Sequence, residues 1–251
     1  MTNKIALITG ASRGLGRASA VHLAKAGTHI IGTYNASKDE AAEVAREIET
    51  HGVKAAMLPF DAEADDFAAF AEQISDALQN RFGTDKLDHI VNNAGIGVHA
   101  SIADTTADQL DQLYKIHFRT PFMLTQALLP HIRDGGSVLF VSSGLARFAL
   151  PGHSAYASMK GAVEVLTRYV AKEMGARGIR ANCIAPGAIA TDFSGGAVRD
   201  NADLNGFVAS MTALGRVGEA DDIGGAVAAI LSDGMRWTNG ERIEVSGGQS
   251  L

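Results

Sequence analysis

Short apolar runs alternate with longer amphipathic stretches along the whole chain, the pattern of strands buried on both faces and joined by crossover helices. Residues 4–9 form the first such run and stop at a glycine, and residues 15–26 have helical composition. A second strand is expected at 29–33. Ser37-Lys38-Asp39-Glu40 then has the spacing of a capping box, which would open a helix running to residue 49. Further strands are expected at 54–59, 87–91, 137–141, 179–184 and 242–245. Helices are expected at 65–79, 155–175 and 220–231, with a long polar-to-apolar stretch at 106–131. Seven strands with crossover helices predict an α/β fold, a single doubly wound domain over residues 1–251 with a seven-stranded parallel sheet and helices on both faces. In such a sheet ligands bind beyond the carboxyl ends of the strands, so chemistry is sought just after each strand.

Composition narrows the field. With 46% hydrophobic and 20% charged residues the chain can build a large core, and a formal charge of -6 argues against a nucleic-acid surface, which needs clustered Lys and Arg. The single cysteine, Cys183, excludes an internal disulfide and fits a reducing, cytoplasmic setting. The opening segment is too short in apolar residues for a signal peptide or a membrane span. The eight histidines show no HExxH-like spacing, so no metal site is expected.

After the first strand stands Gly10-Ala11-Ser12-Arg13-Gly14-Leu15-Gly16, where small residues would let a pyrophosphate approach the backbone at the positive end of a helix. Glycines there can also serve only a tight turn. Other segments make the reading specific: Asn92-Asn93-Ala94-Gly95, Ser143, Tyr156-Ala157-Ser158-Met159-Lys160, and Pro186-Gly187-Ala188-Ile189-Ala190-Thr191. With Thr9 before the glycines, these resemble in order the TGxxxGxG, NNAG, Ser, YxxxK and PGxxxT segments of the short-chain dehydrogenase/reductase family. Ser143 precedes Tyr156 by the family's usual thirteen residues.

The resemblance implies a Rossmann-type domain that binds a nicotinamide dinucleotide through Gly10, Ser12, Arg13, Gly14, Leu15, Gly16, Asn93, Ala94, Gly95, Tyr156, Lys160, Pro186, Gly187, Ile189 and Thr191. An acid at the end of the second strand would bind the adenosine ribose diol; here Thr33, Tyr34 and Asn35 are uncharged, while Arg13 can meet a 2′-phosphate. NADP(H) is therefore expected, with a solvated surface arginine as the other reading of Arg13. Asp61 resembles the family's adenine-contacting aspartate, or is a turn residue.

Tyr156 and Lys160 are four apart on a predicted helix and share a face. A nearby ammonium would lower the tyrosine's pKa and make it a usable proton donor. Ser143 would donate to the carbonyl oxygen, whereas Ser142 is expected in a turn or packing role. In the family an asparagine holds a water that links the lysine to solvent. His117 occupies that position here, as a relay group titrating near neutrality or as a structural histidine.

The expected reaction is reversible NADPH-dependent reduction of a ketone to a secondary alcohol. Leu145, Phe148, His153, Phe193 and Phe207 are candidate pocket walls, each with core or loop packing as its alternative. Residues 192–212 are expected to form a mobile lid, as in the family. The carbonyl-reductase reading is preferred to a 3-oxoacyl-[acyl-carrier-protein] reductase, because Arg177 fits a carrier-docking position but Asp134 replaces a second base. A cofactor-binding sensor without turnover is a third reading. The resemblance also implies a homo-oligomer, a tetramer or a dimer, built on the helices around 106–131 and 155–175 and on the C-terminal strand.

Overall fold

A computed structural model describes residues 4–64 and 66–251. Seven strands form one parallel sheet in the order β3-β2-β1-β4-β5-β6-β7. They span Ile5–Ile8 (β1), His29–Tyr34 (β2), Ala55–Pro59 (β3), Leu87–Asn92 (β4), Ile132–Val141 (β5), Arg180–Pro186 (β6) and Arg242–Val245 (β7). Every pairing is parallel, with Leu7 beside Ile31 on one side and Ile90 on the other. The order reverses between β1 and β4, and this switch point opens a crevice at the carboxyl edge.

Helices cover both faces. On one side lie α1 (Gly14–Lys25), α2 (Lys38–Glu49) and α9 (Ala220–Leu231), over a core that includes Ile8, Leu23, Ile48, Leu139 and Val227. On the other lie α3 (Phe67–Ala77), α5 (Thr120–Leu128) and α6 (Ser154–Glu173), over Leu7, Phe70, Ile90, Leu124, Phe140 and Val163. The strands are apolar at successive positions because each of their faces meets a helix layer.

Three local expectations change. Ser37 is the N-cap of α2 but makes no side-chain capping bond; Asp39 and Glu40 in the first turn still favour that helix start through its dipole. Asp65, expected to open the third helix, lies outside the described residues; α3 starts at Phe67 with Asp66 accepting from the Ala69 amide at 2.9 Å. The 106–131 stretch is not one regular helix. It comprises α4 (Ala107–Tyr114), a π-helical turn over Lys115–Arg119, α5 and a 3-10 turn. A wide turn inserts a residue into the helical register, a device common at functional sites, and His117 stands in its middle.

The expected lid is helical. After a 3-10 turn at Phe193–Gly196 come α7 (Ala197–Asp200) and α8 (Ala202–Ser210). Ser194, Gly195 and Gly196 all have positive φ, near 53°, 70° and 78°, so the chain turns sharply there before α7. Arg199 then ties the segment through ion pairs with Asp192 and Asp200.

Candidate active site

The glycine turn forms a cradle. Gly10 and Gly14 hold φ near 67° and 53°, conformations that an L side chain would strain. A Cβ on Gly16 would lie 2.0 Å from the Gly10 carbonyl oxygen, so only glycine lets α1 start this close to β1. Arg13 is the N-cap of α1 and provides no side-chain cap, which leaves the first amides of the helix free to bind an anion at its positive end. Arg13 itself is exposed beside them. Thr191 closes over this turn, its Cβ in van der Waals reach of a side chain built at Gly14. A dinucleotide pyrophosphate fits this donor set.

The NNAG segment is fastened to the same turn. Thr9 Oγ1 accepts from the amides of Asn93 (2.9 Å) and Ala94 (3.0 Å), and Asn93 Nδ2 donates to the carbonyls of Thr9 (2.9 Å) and Gly10 (3.2 Å). The Asn93 side chain is therefore a brace between the ends of β1 and β4. Gln249 does a similar job for the Pro186-Gly187 turn, accepting from the Ala188 amide at 2.8 Å. No sequence signal marked that glutamine.

Thr33 departs from expectation. It is 1% exposed, and its Oγ1 accepts from the Gly10 amide at 3.1 Å. The side chain lies behind the glycine turn rather than toward a ribose. Side chains alternate along a strand, so Tyr34 points to the opposite face from Thr33 and is half-buried, while Asn35 is exposed just past the end of β2. Ser12 is buried in the turn and Leu15 half-buried just after it. Asp61 Oδ1 accepts from the Glu63 amide at 2.9 Å, the turn geometry foreseen as its alternative.

The catalytic candidates converge at the carboxyl ends of β4 and β5. Ser143 follows β5, accepts from the Leu145 amide at 3.2 Å and stands close enough to Tyr156 for its hydroxyl to act on the phenol. Burial pushes the Tyr156 phenol up to about 12, with the Ser143 bond working in the opposite direction. Lys160, one turn on, is 5% exposed and donates to the Val141 carbonyl at 2.7 Å. Its Nζ lies 5.5 Å from the Tyr156 ring centroid, and burial pushes its pKa down to about 7. The expectation that an ammonium already lowers the Tyr156 pKa fails for the protein alone, because desolvation dominates both groups. Ser142 is packed into the interior at 2% exposure, with its Oγ donating to Glu164 Oε1 at 2.6 Å.

His117 packs edge-on against Tyr156, ring centroids 5.1 Å apart at 86°. It is 1% exposed, and its Nε2 lies 2.8 Å from the Ile96 carbonyl. The Ile96 amide also faces Nε2, at 3.3 Å; the shorter contact is to the carbonyl, which only accepts, so Nε2 is assigned the proton and Nδ1 the lone pair. Nδ1 is buried without a hydrogen-bond partner among the described residues. Burial, with Lys160 nearby, holds the imidazole well below its ordinary pKa. The expectation of a titration near neutrality is thereby overturned: His117 is a neutral acceptor.

Among the pocket candidates, Phe193 is brought to the site, its ring 5.9 Å from that of Tyr156. Phe193 and Ser194 also cover Gly97, so the segment expected to form a lid lies against the loop after β4. His153 stacks edge-on with His99 at 5.0 Å, a partner the sequence did not single out, and burial lowers its pKa. Leu145 adjoins Ser143 through its amide. Phe148 instead sits back against Gly144 with the Arg147 guanidinium over its ring at 5.5 Å. Phe207 is 53% exposed on α8.

A family model described as enoyl-(acyl carrier protein) reductase matches residues 10–250. The chain is 36% identical over 193 residues to a hydroxynaphthalene reductase-like protein of Metarhizium majus, covering 76% of this chain and 70% of that one. It is 34% identical over 193 residues to a versicolorin reductase of Emericella nidulans, covering 76% and 71%. Among solved structures, the reductase LugOII, described as catalysing keto-reduction at C1 in lugdunomycin biosynthesis, superposes with a TM-score of 0.93 at 38% identity over 98% of this chain and 97% of that one. The angucycline C-6 ketoreductase LanV with bound NADP gives 0.94 at 34% identity over 99% and 96%.

Proposed function

Because the chain belongs to the short-chain dehydrogenase/reductase family, we propose that it reduces a ketone on a fused-ring aromatic substrate to the secondary alcohol with NADPH. The observation that carries the reading is the convergence on Tyr156 of Ser143, the edge-on ring of His117 and, one helical turn away, the buried Lys160. Relatives named for hydroxynaphthalene, versicolorin and angucycline ketones and the rings of Phe193, Tyr156 and His117 support a flat, aromatic substrate. This refines the general carbonyl-reductase expectation.

The glycine turn, Arg13, the NNAG backbone and Thr191 would hold the dinucleotide, with Arg13 near its 2′-phosphate and Lys160 near its nicotinamide ribose. When bound, NADPH supplies hydride to the carbonyl carbon. Ser143 Oγ orients the carbonyl oxygen and stabilises its growing negative charge. Tyr156 keeps its proton throughout the neutral range, as its elevated pKa requires, and transfers it to that oxygen. Lys160, near neutrality, returns a proton to the phenolate. Nδ1 of His117 serves as a fixed acceptor that orders the proton path to Lys160, replacing the family's asparagine without titrating itself.

Carrier-protein docking is not favoured. Arg177 pairs with Asp134 at 2.8 Å and donates to the Leu129 and Ile132 carbonyls, so its charge is already engaged within the chain. For assembly, Phe122, Val165 and Tyr169 leave an exposed apolar face on α5 and α6, which supports a homo-oligomer built there. Among the described residues no helix is long and apolar enough to cross a membrane; a cytoplasmic location is part of this reading. NADPH oxidation with 2-tetralone, a small aliphatic ketone and a 3-oxoacyl thioester tests it. Turnover fastest with the bicyclic ketone is expected; binding of NADPH without turnover of any of the three would refute it.

A further inference from the structure

The strand end that carries Ser143 is held by a chain of alternating charges. Glu164 lies four residues beyond Lys160 on α6, and its Oε1 accepts from both Ser142 Oγ and Arg242 Nε at 2.6 Å. Arg242, on β7, also donates from Nη1 to Glu244 Oε2 at 2.7 Å and from Nη2 to the Ser143 carbonyl at 3.2 Å. Glu244 takes Arg147 in a two-bond fork, at 2.8 Å for each oxygen. Arg147, in the loop after Ser143, reaches the carbonyls of Gln249 at 2.7 Å and Ser250 at 3.0 Å. Burial opposes the charge on Glu244, but Arg147 and Arg242 outweigh it and hold the carboxyl at about 2.

We infer that Arg242 is a positioning residue for Ser143: it joins the serine's own carbonyl to Glu164 on the catalytic helix and to Glu244 and Arg147 at the sheet edge, and so sets where Ser143 stands relative to Tyr156. Only a guanidinium does this. Its fork sends separate N–H groups to three acceptors that an ammonium cannot span together. The serine stands two residues past the last paired position of β5, Val141 opposite Ile184, and one past Ser142, whose amide donates to the Ile184 carbonyl at 2.7 Å. Without Arg242, two carboxylates would face each other across the space it fills, and the serine would lose its carbonyl anchor. A displacement of about 1 Å at a reacting group costs on the order of a hundredfold in rate.

The inference rests on the ketoreductase reading, and its test separates the two. Arg242→Met, Ser143→Ala and the double variant are compared with the parent for 2-tetralone reduction by NADPH, with product measured by chromatography so that slow variants remain readable. NADPH affinity and melting temperature are recorded for each. Arg242→Met is expected to lower kcat about ten- to a hundredfold with NADPH affinity within about twofold of the parent. In the Ser143→Ala background it should lower kcat less than about threefold, because the group it positions is gone. Arg242→Lys folds with the charge kept and should show the same loss of kcat, which covers the case in which the methionine variant is unstable. A parent-like kcat in both Arg242 variants, or losses that multiply fully in the double variant, would overturn the inference while leaving the ketoreductase reading intact. A parent that binds NADPH but reduces no ketone would overturn both.

Discussion

Replacing Lys160 with methionine should stabilise the cofactor-free protein at neutral pH. Lys160 is 5% exposed and its pKa falls from 10.5 to about 7 on burial. At 1.36 kcal/mol per unit, that shift opposes folding by about 5 kcal/mol wherever both states are protonated, below pH 7. Between pH 7 and 10.5 the unfolded chain holds a proton that the folded one has released, so this contribution makes stability rise by about 1.4 kcal/mol per pH unit. Above the unfolded pKa the penalty vanishes. Methionine removes the penalty at every pH but leaves the Val141 carbonyl, now 2.7 Å from Nζ, without its donor, a loss of about 2 kcal/mol. The variant should therefore be about 2 kcal/mol more stable than the parent at pH 7, about equal near pH 9 and less stable at pH 10. Urea unfolding followed by circular dichroism at pH 7, 8, 9 and 10, at one protein concentration, reads this directly. At pH 7 the gain corresponds to roughly 4–8 °C in Tm for a domain of this size. A stability difference that stays flat across that range, or a variant less stable at pH 7, would refute the reasoning; ketone turnover should fall at least about a hundredfold in either case.

Tyr156→Phe should keep NADPH affinity and lose about two or more orders of magnitude in kcat, the usual contribution of a placed acid; unchanged turnover would assign the proton to another group. NADPH should be preferred over NADH by at least about tenfold in kcat/KM, since a charge-assisted phosphate contact contributes roughly 1.5 to 3 kcal/mol. Arg13→Ala with Tyr34→Asp should reverse that preference, whereas Thr33→Asp should damage folding by displacing the acceptor of the Gly10 amide. His117→Asn should retain most activity and His117→Ala should slow turnover appreciably at similar Tm. Because burial holds His117 neutral, neither change should move a limb of the kcat profile between pH 6 and 8; a limb that shifts with His117→Asn would show that it titrates.

Alternation of buried strands and amphipathic helices was legible along the chain because period and residue type are local properties, and the boundaries of α9 and β7 came out as read, at 220–231 and 242–245. The glycine turn and the Tyr156–Lys160 pair were legible for a related reason: a tight turn needs glycine, and two side chains four apart on a helix share a face whatever surrounds them; Ser143 was marked only by its family-like spacing from Tyr156. Direction and environment were not. Thr33 and Tyr34 are uncharged neighbours in the sequence, and only the pleat of β2 and its pairing with β1 turned the first inward onto Gly10 and left the second half-buried on the opposite face. The π-helical turn at Lys115–Arg119 shifts helical register without any glycine or proline inside it, and it buries His117 against Tyr156, which pushes its pKa well below that of an isolated imidazole. Lys160 and Tyr156 likewise take their pKa values from desolvation, a quantity set by the packed sheet and helices rather than by spacing. Gln249 and Arg242 lie 106 and 99 residues beyond Ser143, and only the doubly wound topology, which brings β7 to the edge of the sheet beside β6, places the tail against the catalytic loop.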